Sequence, residues 1–478
     1  MNVPSYEFLG FAAVVAIAIN CSRASGWRRA VLLVANLAFI LSFTHDPRQL
    51  APFAALLFAG YGCMKLVERS KQRVVFAAIC VGIVFAFCCL KRYAFIPSDA
   101  FLPFAYFTVG MSYVFFRVLH LIIDAYQDAL PQRVGPVDYV NYTLNFTSLV
   151  AGPIQFYRDY HRFESVRPAP LGASDAAIAL RRILVGFFKV SIVSPLLAHA
   201  QAILLANLSA SGGVARNAAD AALLTAVFLV YLYFNFSGYT DFVIGVARFL
   251  RLELPENFNR PFMASGFIDF WGRWHITLAN WAKTYVYSPL LLALMRRYPS
   301  PSVAPVFGVL AYFVTFFFVG VWHGQTSMFI FLGVLLGFGV SVNKLYEIAM
   351  TRRLGRARYG NLCANPVHAA LSRGATLAYF AFASLWFWST WAQLGTFVAS
   401  LGVGGVALAL ALLFAGATIL LAMLKAAADA LTMLEAQGPL LAPTRYARIA
   451  LYSALAVLLV SVTVILNSPA PHIVYKGF

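Results

Sequence analysis

Charge is what this sequence has least of. Asp, Glu, Lys and Arg make up 11% of its 478 residues, only 18 of them acidic, while 61% are hydrophobic and the mean hydropathy is +0.76. A soluble globular domain carries roughly a quarter of its residues as charges, so that class is excluded and a polytopic membrane protein remains. Gly/Ser-rich and Pro-rich linkers are also missing, as is any polar stretch of soluble-domain size, so residues 1–478 are expected to form a single membrane-embedded domain. The six cysteines, Cys21, Cys63, Cys80, Cys88, Cys89 and Cys363, show no C-x-x-C spacing and read as small hydrophobes, not as a metal or disulfide framework. An internal repeat is absent too, which weighs against a transporter of the inverted-repeat kind. The apolar residues 8–19 lack a preceding basic region and a small-residue cleavage site, and so read as a retained first helix and not a signal peptide.

What charge there is has one dominant sign: Lys plus Arg is 36, giving +18. Nucleic acid is not needed to explain it, because cytoplasmic loops of membrane proteins collect Lys and Arg and face anionic lipid. The same basic face could receive an acidic donor, such as an acyl carrier protein or a coenzyme A phosphate. At roughly 20 apolar residues per span, the uncharged runs predict an all-α protein of about ten to twelve helices, with a few partial or re-entrant ones. Basic loops at Arg23, Arg28 and Arg29 and at residues 65–73, separated by crossings at 31–43 and 50–64, put both loops in the cytoplasm and the N-terminus outside. Residues 74–90 leave, 101–123 return, and 124–133 lie inside. Residues 139–154 carry Asn141, Asn145, Ser148 and the breaker Gly152-Pro153. They make a poor span and predict a re-entrant or interfacial element, since irregular backbone at membrane depth survives only where protein or a cavity covers it.

Residues 158–182 read as cytoplasmic, and 183–208 and 221–239 as the next crossings. Residues 251–297, charged, aromatic and proline-bearing, predict an in-plane passage. Four arginines in 351–359 mark another cytoplasmic loop. The uncharged residues 374–424 suffice for two spans, and 449–466 make a last one that leaves the tail outside.

Two histidines stand out. His323 sits in Trp322-His323-Gly324, inside a run without one charged residue between Arg297 and Lys344. An ionisable group there is expensive and is a candidate site by default, the competing reading being a core histidine bonded to a carbonyl. On helical spacing Trp271, Trp274, His275, Leu278 and Ala282 share one face, with Asp269 and Arg273 an i, i+4 pair elsewhere. The tryptophans equally suit an aromatic belt at the lipid interface, and His275 alone suits a bonded interfacial histidine. Two histidines near one buried point, however, can divide the tasks of base and orienter. Upstream, Asn257, Asn259 and Arg260 lie in a polar passage with a proline at each end, a structural corner or a holder of a phosphate or helix end. Asn235, Ser237, Tyr239 and Asp241 place polar groups at the end of a span, where helix-to-helix hydrogen bonds are the first expectation.

These residues carry a resemblance. Tyr233-Phe234-Asn235-Phe236-Ser237-Gly238-Tyr239-Thr240-Asp241, Leu254-Pro255-Glu256-Asn257-Phe258-Asn259-Arg260-Pro261-Phe262, Asp269-Phe270-Trp271-Gly272-Arg273-Trp274-His275-Ile276-Thr277-Leu278 and Gly320-Val321-Trp322-His323-Gly324 closely resemble the membrane-bound O-acyltransferase family. The nearer likeness is to its bacterial branch, with the alginate O-acetylation and teichoic-acid D-alanyl transfer membrane proteins. Fainter echoes are Val109-Gly110-Met111-Ser112-Tyr113, Asp124-Ala125-Tyr126, Leu149-Val150-Ala151-Gly152-Pro153-Ile154 and Ile473-Val474-Tyr475-Lys476-Gly477-Phe478. The resemblance implies tilted helices around a thinned central tunnel in the bacterial cytoplasmic membrane. Through it an acyl group would pass from a cytoplasmic thioester, acetyl-CoA or an acyl carrier protein, to an extracytoplasmic hydroxyl, with a separate extracytoplasmic partner completing transfer. His323 falls on the family's catalytic histidine and His275 on its second.

Trp322, Gly324, Trp274, Arg273, Asn257, Asn259, Arg260 and Asn235 would support the tunnel or substrate. A neutral imidazole in an apolar setting suits the work of a base, and no bound cofactor or metal is required. The sequence departs from the bacterial pattern at Gly272, at Lys283-Thr284 and at Pro289-Leu290-Leu291-Leu292, which bear on the donor. Acetylation of a polysaccharide or envelope glycan is the leading expectation. D-alanyl transfer from a carrier protein is the alternative, and a polysaccharide transporter or flippase the reading from another class.

Overall fold

The structure, a computed structural model, describes residues 1–165, 171–209, 212–436 and 445–466. The motif at the C-terminal tail therefore lies outside the described residues. Among those described, every named element is helical, and one isolated antiparallel bridge joins Phe258 to Trp274. Seven helices among them are long and apolar enough to cross a membrane: Pro47–Ser70, Arg73–Leu90, Ala173–Leu208, Val214–Phe249, Ala304–Trp322, Ser327–Leu354 and Trp391–Met433. The expectation of ten to twelve helices also counted as crossings residues 8–19, 31–43 and 101–123. These form helices of 15, 17 and 16 residues, Tyr6–Asn20, Ser25–Leu41 and Met111–Tyr126, shorter than the roughly 20 residues of a typical span. All six cysteines are free thiols. The chain divides into two compact units, one chiefly Met1–Ser191 with Asn235–Glu256, the other Ile192–Phe234 with Asn257–Ser461.

In the first unit, helix Met111–Tyr126 is buried over almost its whole length, so the polar residues on its Arg117–His120–Asp124 stripe need partners within the protein. Its single arginine, Arg117, is 1% exposed. The guanidinium donates to the carbonyls of Tyr142 (3.2 Å), Thr143 (2.9 Å) and Ser148 (2.8 Å) and to the Ser148 hydroxyl (2.7 Å). These carbonyls belong to the segment the sequence marks as irregular. It forms a short helix, Pro136–Thr143, then turns, with all of residues 141–155 buried. Its other polar groups find side chains as well: Asn36 Oδ1 accepts from Phe146 N–H (2.9 Å) and the Tyr239 hydroxyl accepts from Ala151 N–H (3.1 Å). Non-helical backbone can persist away from water only with such partners.

Asp241 does not end a span. It lies inside the 36-residue helix Val214–Phe249, because uncharged residues continue the helical pattern past the polar cluster. Lys189 Nζ donates to Asp241 Oδ2 (2.6 Å) and Arg182 Nε to Asp241 Oδ1 (3.0 Å), while Arg182 also forks onto Glu256. Lys189 opens a π-helical turn, Lys189–Val193, that interrupts the expected crossing at 183–208 between Ala173–Phe188 and Ser194–Ser209. The expected helix-to-helix bonding therefore holds here as ion pairs.

In the second unit the helices Ala304–Trp322 and Ser327–Leu354 form a hairpin. Their backbones meet at Gly320, where an added Cβ would lie 2.2 Å from Gly333 Cα. Only glycine permits this approach. Gly320→Val is expected to force the hairpin apart at a cost of about 3 kcal/mol, seen as a lower thermal midpoint in detergent. An unchanged midpoint would show that the hairpin is not tightly seated. Beyond it, Pro366–Ser384 and Trp391–Ala436 supply the apolar length expected of residues 374–424, the latter interrupted at Gly402, where φ is 62°.

Candidate active site

The passage 251–297 breaks at Gly272–His275 into the short helix Phe267–Trp271 and a helical run over 276–297 that carries a π-turn at Lys283–Tyr287. This corrects the single helical face expected for Trp271, Trp274, His275, Leu278 and Ala282. The helix stops at Gly272, and His275 stands before the next one in the left-handed region, φ 46° and ψ 48°. Five aromatic or apolar residues at helical intervals imitate a continuous helix because burial alone places them there. All five are indeed buried. A non-glycine residue in this conformation costs on the order of 1–3 kcal/mol and persists only where its surroundings impose it.

Asn257 is the principal constraint. Its side chain is fully buried; Oδ1 accepts from the Thr277 hydroxyl (2.7 Å) and Thr277 N–H (3.2 Å), while its carbonyl accepts from Ile276 N–H (3.0 Å). Asn259 N–H donates to the Arg273 carbonyl (2.9 Å), and Trp274 packs edge-on against Phe258, ring centroids 5.1 Å apart. The polar passage is thus a clamp on the turn that carries His275, the helix-end role among those its residues allowed. Asn257→Ala is expected to leave two buried donors unsatisfied, a loss of about 1–3 kcal/mol, and to lower turnover with it. Thermal melting in detergent and an acyl-transfer assay check both, and a variant unchanged in either would remove Asn257 from this role.

Arg273 Nε donates to Asp269 Oδ1 (2.8 Å), the expected i, i+4 pair, and Asp269 Oδ2 also accepts from Ser265 N–H (2.9 Å). Burial alone would raise the Asp269 carboxyl, but the hydrogen bonds from Arg273 and Ser265 outweigh it and hold the group below its ordinary value. Asn259 and Arg260 are exposed, so the structure does not bring them to the buried imidazoles. Asn235 is fully buried in the first unit.

His323 ends helix Ala304–Trp322 and is 2% exposed; His275 is fully buried. The Trp322 ring stands against both, 4.8 Å from His323 and 6.4 Å from His275 between ring centroids. Phe387 faces His323 from the other helix pair at 4.9 Å, and Phe329 packs edge-on against Phe387 at 5.9 Å. An added Cβ on Gly324 would meet the Phe329 ring at 2.1 Å, so glycine there lets that ring close over the turn. Sequence reasoning missed Phe387 and Phe329, and held Thr277 only as part of a motif, without a role. Nothing in an apolar run of Phe and Trp distinguishes the ring that meets an imidazole from those that face lipid.

His323 Nδ1 lies 2.5 Å from the carbonyl of Val319, one turn back. A carbonyl can only accept, so Nδ1 carries the proton and the neutral ring holds its lone pair on Nε2. The arrangement is a fixed tautomer in an aromatic, water-poor setting beside a second imidazole.

Residues 97–363, which contain both histidines and the Asn257 clamp, match the family model described as MBOAT, membrane-bound O-acyltransferase family. The chain belongs to that family. This MBOAT protein is accordingly an acyltransferase and a multi-pass membrane protein. It is similar to the teichoic acid D-alanyltransferase of Bacillus subtilis, 25% identical over 63% of this chain and 77% of that protein. The peptidoglycan O-acetyltransferase of Helicobacter pylori is 31% identical over 45% of this chain and 38% of its own length. The probable alginate O-acetylase AlgI of Pseudomonas fluorescens is 26% identical over 66% and 61%. The matched region thus spans less than two thirds of these two O-acetylating relatives.

Proposed function

We propose that this MBOAT acyltransferase takes an acetyl group from a cytoplasmic thioester, acetyl-CoA or an acyl carrier protein. It passes the group across the bacterial cytoplasmic membrane to a hydroxyl of an extracytoplasmic polysaccharide or envelope glycan, and a separate extracytoplasmic protein completes the transfer. The observation that carries the reading is the Nδ1 contact of His323 with Val319, which leaves Nε2 able to accept a proton. In the reaction the hydroxyl that first receives the group at this site, before the extracytoplasmic protein passes it on, gives its proton to Nε2 while its oxygen bonds to the thioester carbonyl carbon. His275 assists by stabilising the tetrahedral oxyanion. The intermediate collapses, the C–S bond breaks, and the proton held on His323 passes to the departing thiolate. An ester and a free thiol result.

Support for the acceptor class comes from the relatives, whose names concern alginate, peptidoglycan and teichoic acid. The longer coverage of the D-alanyltransferase relative favours a second reading, transfer of D-alanine from a carrier protein. Mass spectrometry of the envelope polymers from cells with and without the chain separates the two. An added mass of acetyl supports the first reading, one of alanyl the second, and no difference in any polymer overturns both.

A further inference from the structure

In the second unit a groove of about 690 Å³ runs along helices Ser327–Leu354 and Pro366–Ser384 and takes in Tyr359 and Cys363 of the short helix Arg356–Ala364. The volume lies within the range of small-ligand sites, about 300–1,000 Å³, and neither His275 nor His323 lines it. Two of its apolar walls, Phe338 and Val342, are 55% and 45% exposed, although they lie on a helix long and apolar enough to cross a membrane. An uncovered apolar face at that depth meets hydrocarbon, which admits an acyl chain and disfavours a polar ligand.

The other end of the groove is basic. On helix Ser327–Leu354, Val342, Tyr346 and Arg353 fall at i, i+4 and i+11 and share one face, the first two of them lining the groove. Arg356 precedes the lining residue Tyr359 by one turn and shares its face in the same way. Both arginines are exposed and neither makes an ion pair among the described residues. The two carboxylates that line the groove are already engaged: Asp269 accepts from Arg273 Nε at 2.8 Å and Glu347 from Lys344 Nζ at 2.9 Å. The rim therefore keeps two uncompensated guanidinium groups, whose forks suit phosphate oxygens.

Arginines beside a span are ordinary, and charge alone would require no groove. Here the spacing matches a lipid. Arg353 lies 11 residues beyond Val342 on one helix, a rise of about 16 Å, against roughly 15 Å for the hydrocarbon of one leaflet. Tyr346 lies between them, at the level where interfacial tyrosines sit, its hydroxyl 3.1 Å from His368 Nε2. We infer that the groove holds one acyl chain of an anionic phospholipid along helix Ser327–Leu354, with the lipid phosphate at Arg353 and Arg356.

The test is a thermal-midpoint titration of the purified full chain in detergent with phosphatidylglycerol, with phosphatidylcholine and with inorganic phosphate. It compares the native chain with Arg353→Gln/Arg356→Gln, which alters only exposed side chains, and with Ala375→Trp, which fills the groove from an exposed position on its wall. Phosphatidylglycerol is expected to raise the native midpoint saturably, with half-saturation about tenfold weaker in the arginine variant and no saturable shift in Ala375→Trp. Phosphatidylcholine should bind the native chain about tenfold more weakly than phosphatidylglycerol, a preference the arginine variant loses. Equal half-saturation in the native chain and the arginine variant, or no shift with phosphatidylglycerol, overturns the site. A native response in Ala375→Trp overturns the acyl chain in the groove, and a full shift with inorganic phosphate alone overturns the lipid as the source of the phosphate.

Discussion

His323→Ala is expected to lower kcat/KM for acyl transfer by about 10³-fold, within the usual range for loss of a general base. The thioester carbonyl is a weak electrophile toward a neutral hydroxyl, so loss of the group that takes up the proton bears directly on the rate. His323→Gln supplies the control for structure: its amide can still donate to the Val319 carbonyl but offers no basic nitrogen, so activity should fall as far while the thermal midpoint stays near native. His275→Ala should cost less, about 10²-fold and mostly in kcat, because its contribution is made in the transition state. A His323 variant that kept about a tenth of native turnover or more would remove it as the base.

Arg117→Leu is expected to be the most damaging substitution outside the site. The leucine removes the donor to the buried carbonyls of Tyr142 and Thr143 and leaves the Ser148 carbonyl with only the Gly152 N–H (3.2 Å). Burying a cation is itself expensive, so part of the loss is returned when the charge is removed. The remaining penalty, about 3–5 kcal/mol, comes from the unsatisfied acceptors and should appear as a collapse of the detergent thermal midpoint. Arg117→Lys should recover only part of it, since one ammonium cannot match the forked geometry. A native midpoint in Arg117→Leu would mean that water reaches those carbonyls and that the segment is not sealed by protein.

The place of Trp322-His323-Gly324 at the end of an apolar helix was legible from the uncharged run around it, while the bond of His323 to the Val319 carbonyl, one of the two readings the sequence left open, needed the fold. The Asp269–Arg273 pair was legible because i, i+4 spacing survives even across a broken helix. The left-handed turn at His275 was not. Its cause is the clamp from Asn257, about twenty residues upstream, and helical periodicity records burial rather than backbone direction. Arg117 went unremarked for a similar reason: its acceptors lie 25 to 31 residues away, and composition shows only a lone arginine among apolar residues. The irregular segment at 139–154 was legible from its breakers, although the side chains that satisfy it, Asn36, Arg117 and Tyr239, could be identified only from the fold. The position of Asp241 within a long helix, held by Arg182 and Lys189, likewise depends on partners about fifty residues away.

The central claim is that this chain transfers an acyl group with His323 as base. It is tested most directly in cells lacking the native chain and complemented with either the native sequence or His323→Ala, by measuring both the acyl content and the amount of exported polymer. The account predicts that His323→Ala inserts at native levels and that polymer reaches the surface in native amount but without its acyl group. Polymer that stays acylated would contradict the role of His323. Loss of export of an unmodified polymer would point instead to a transporter.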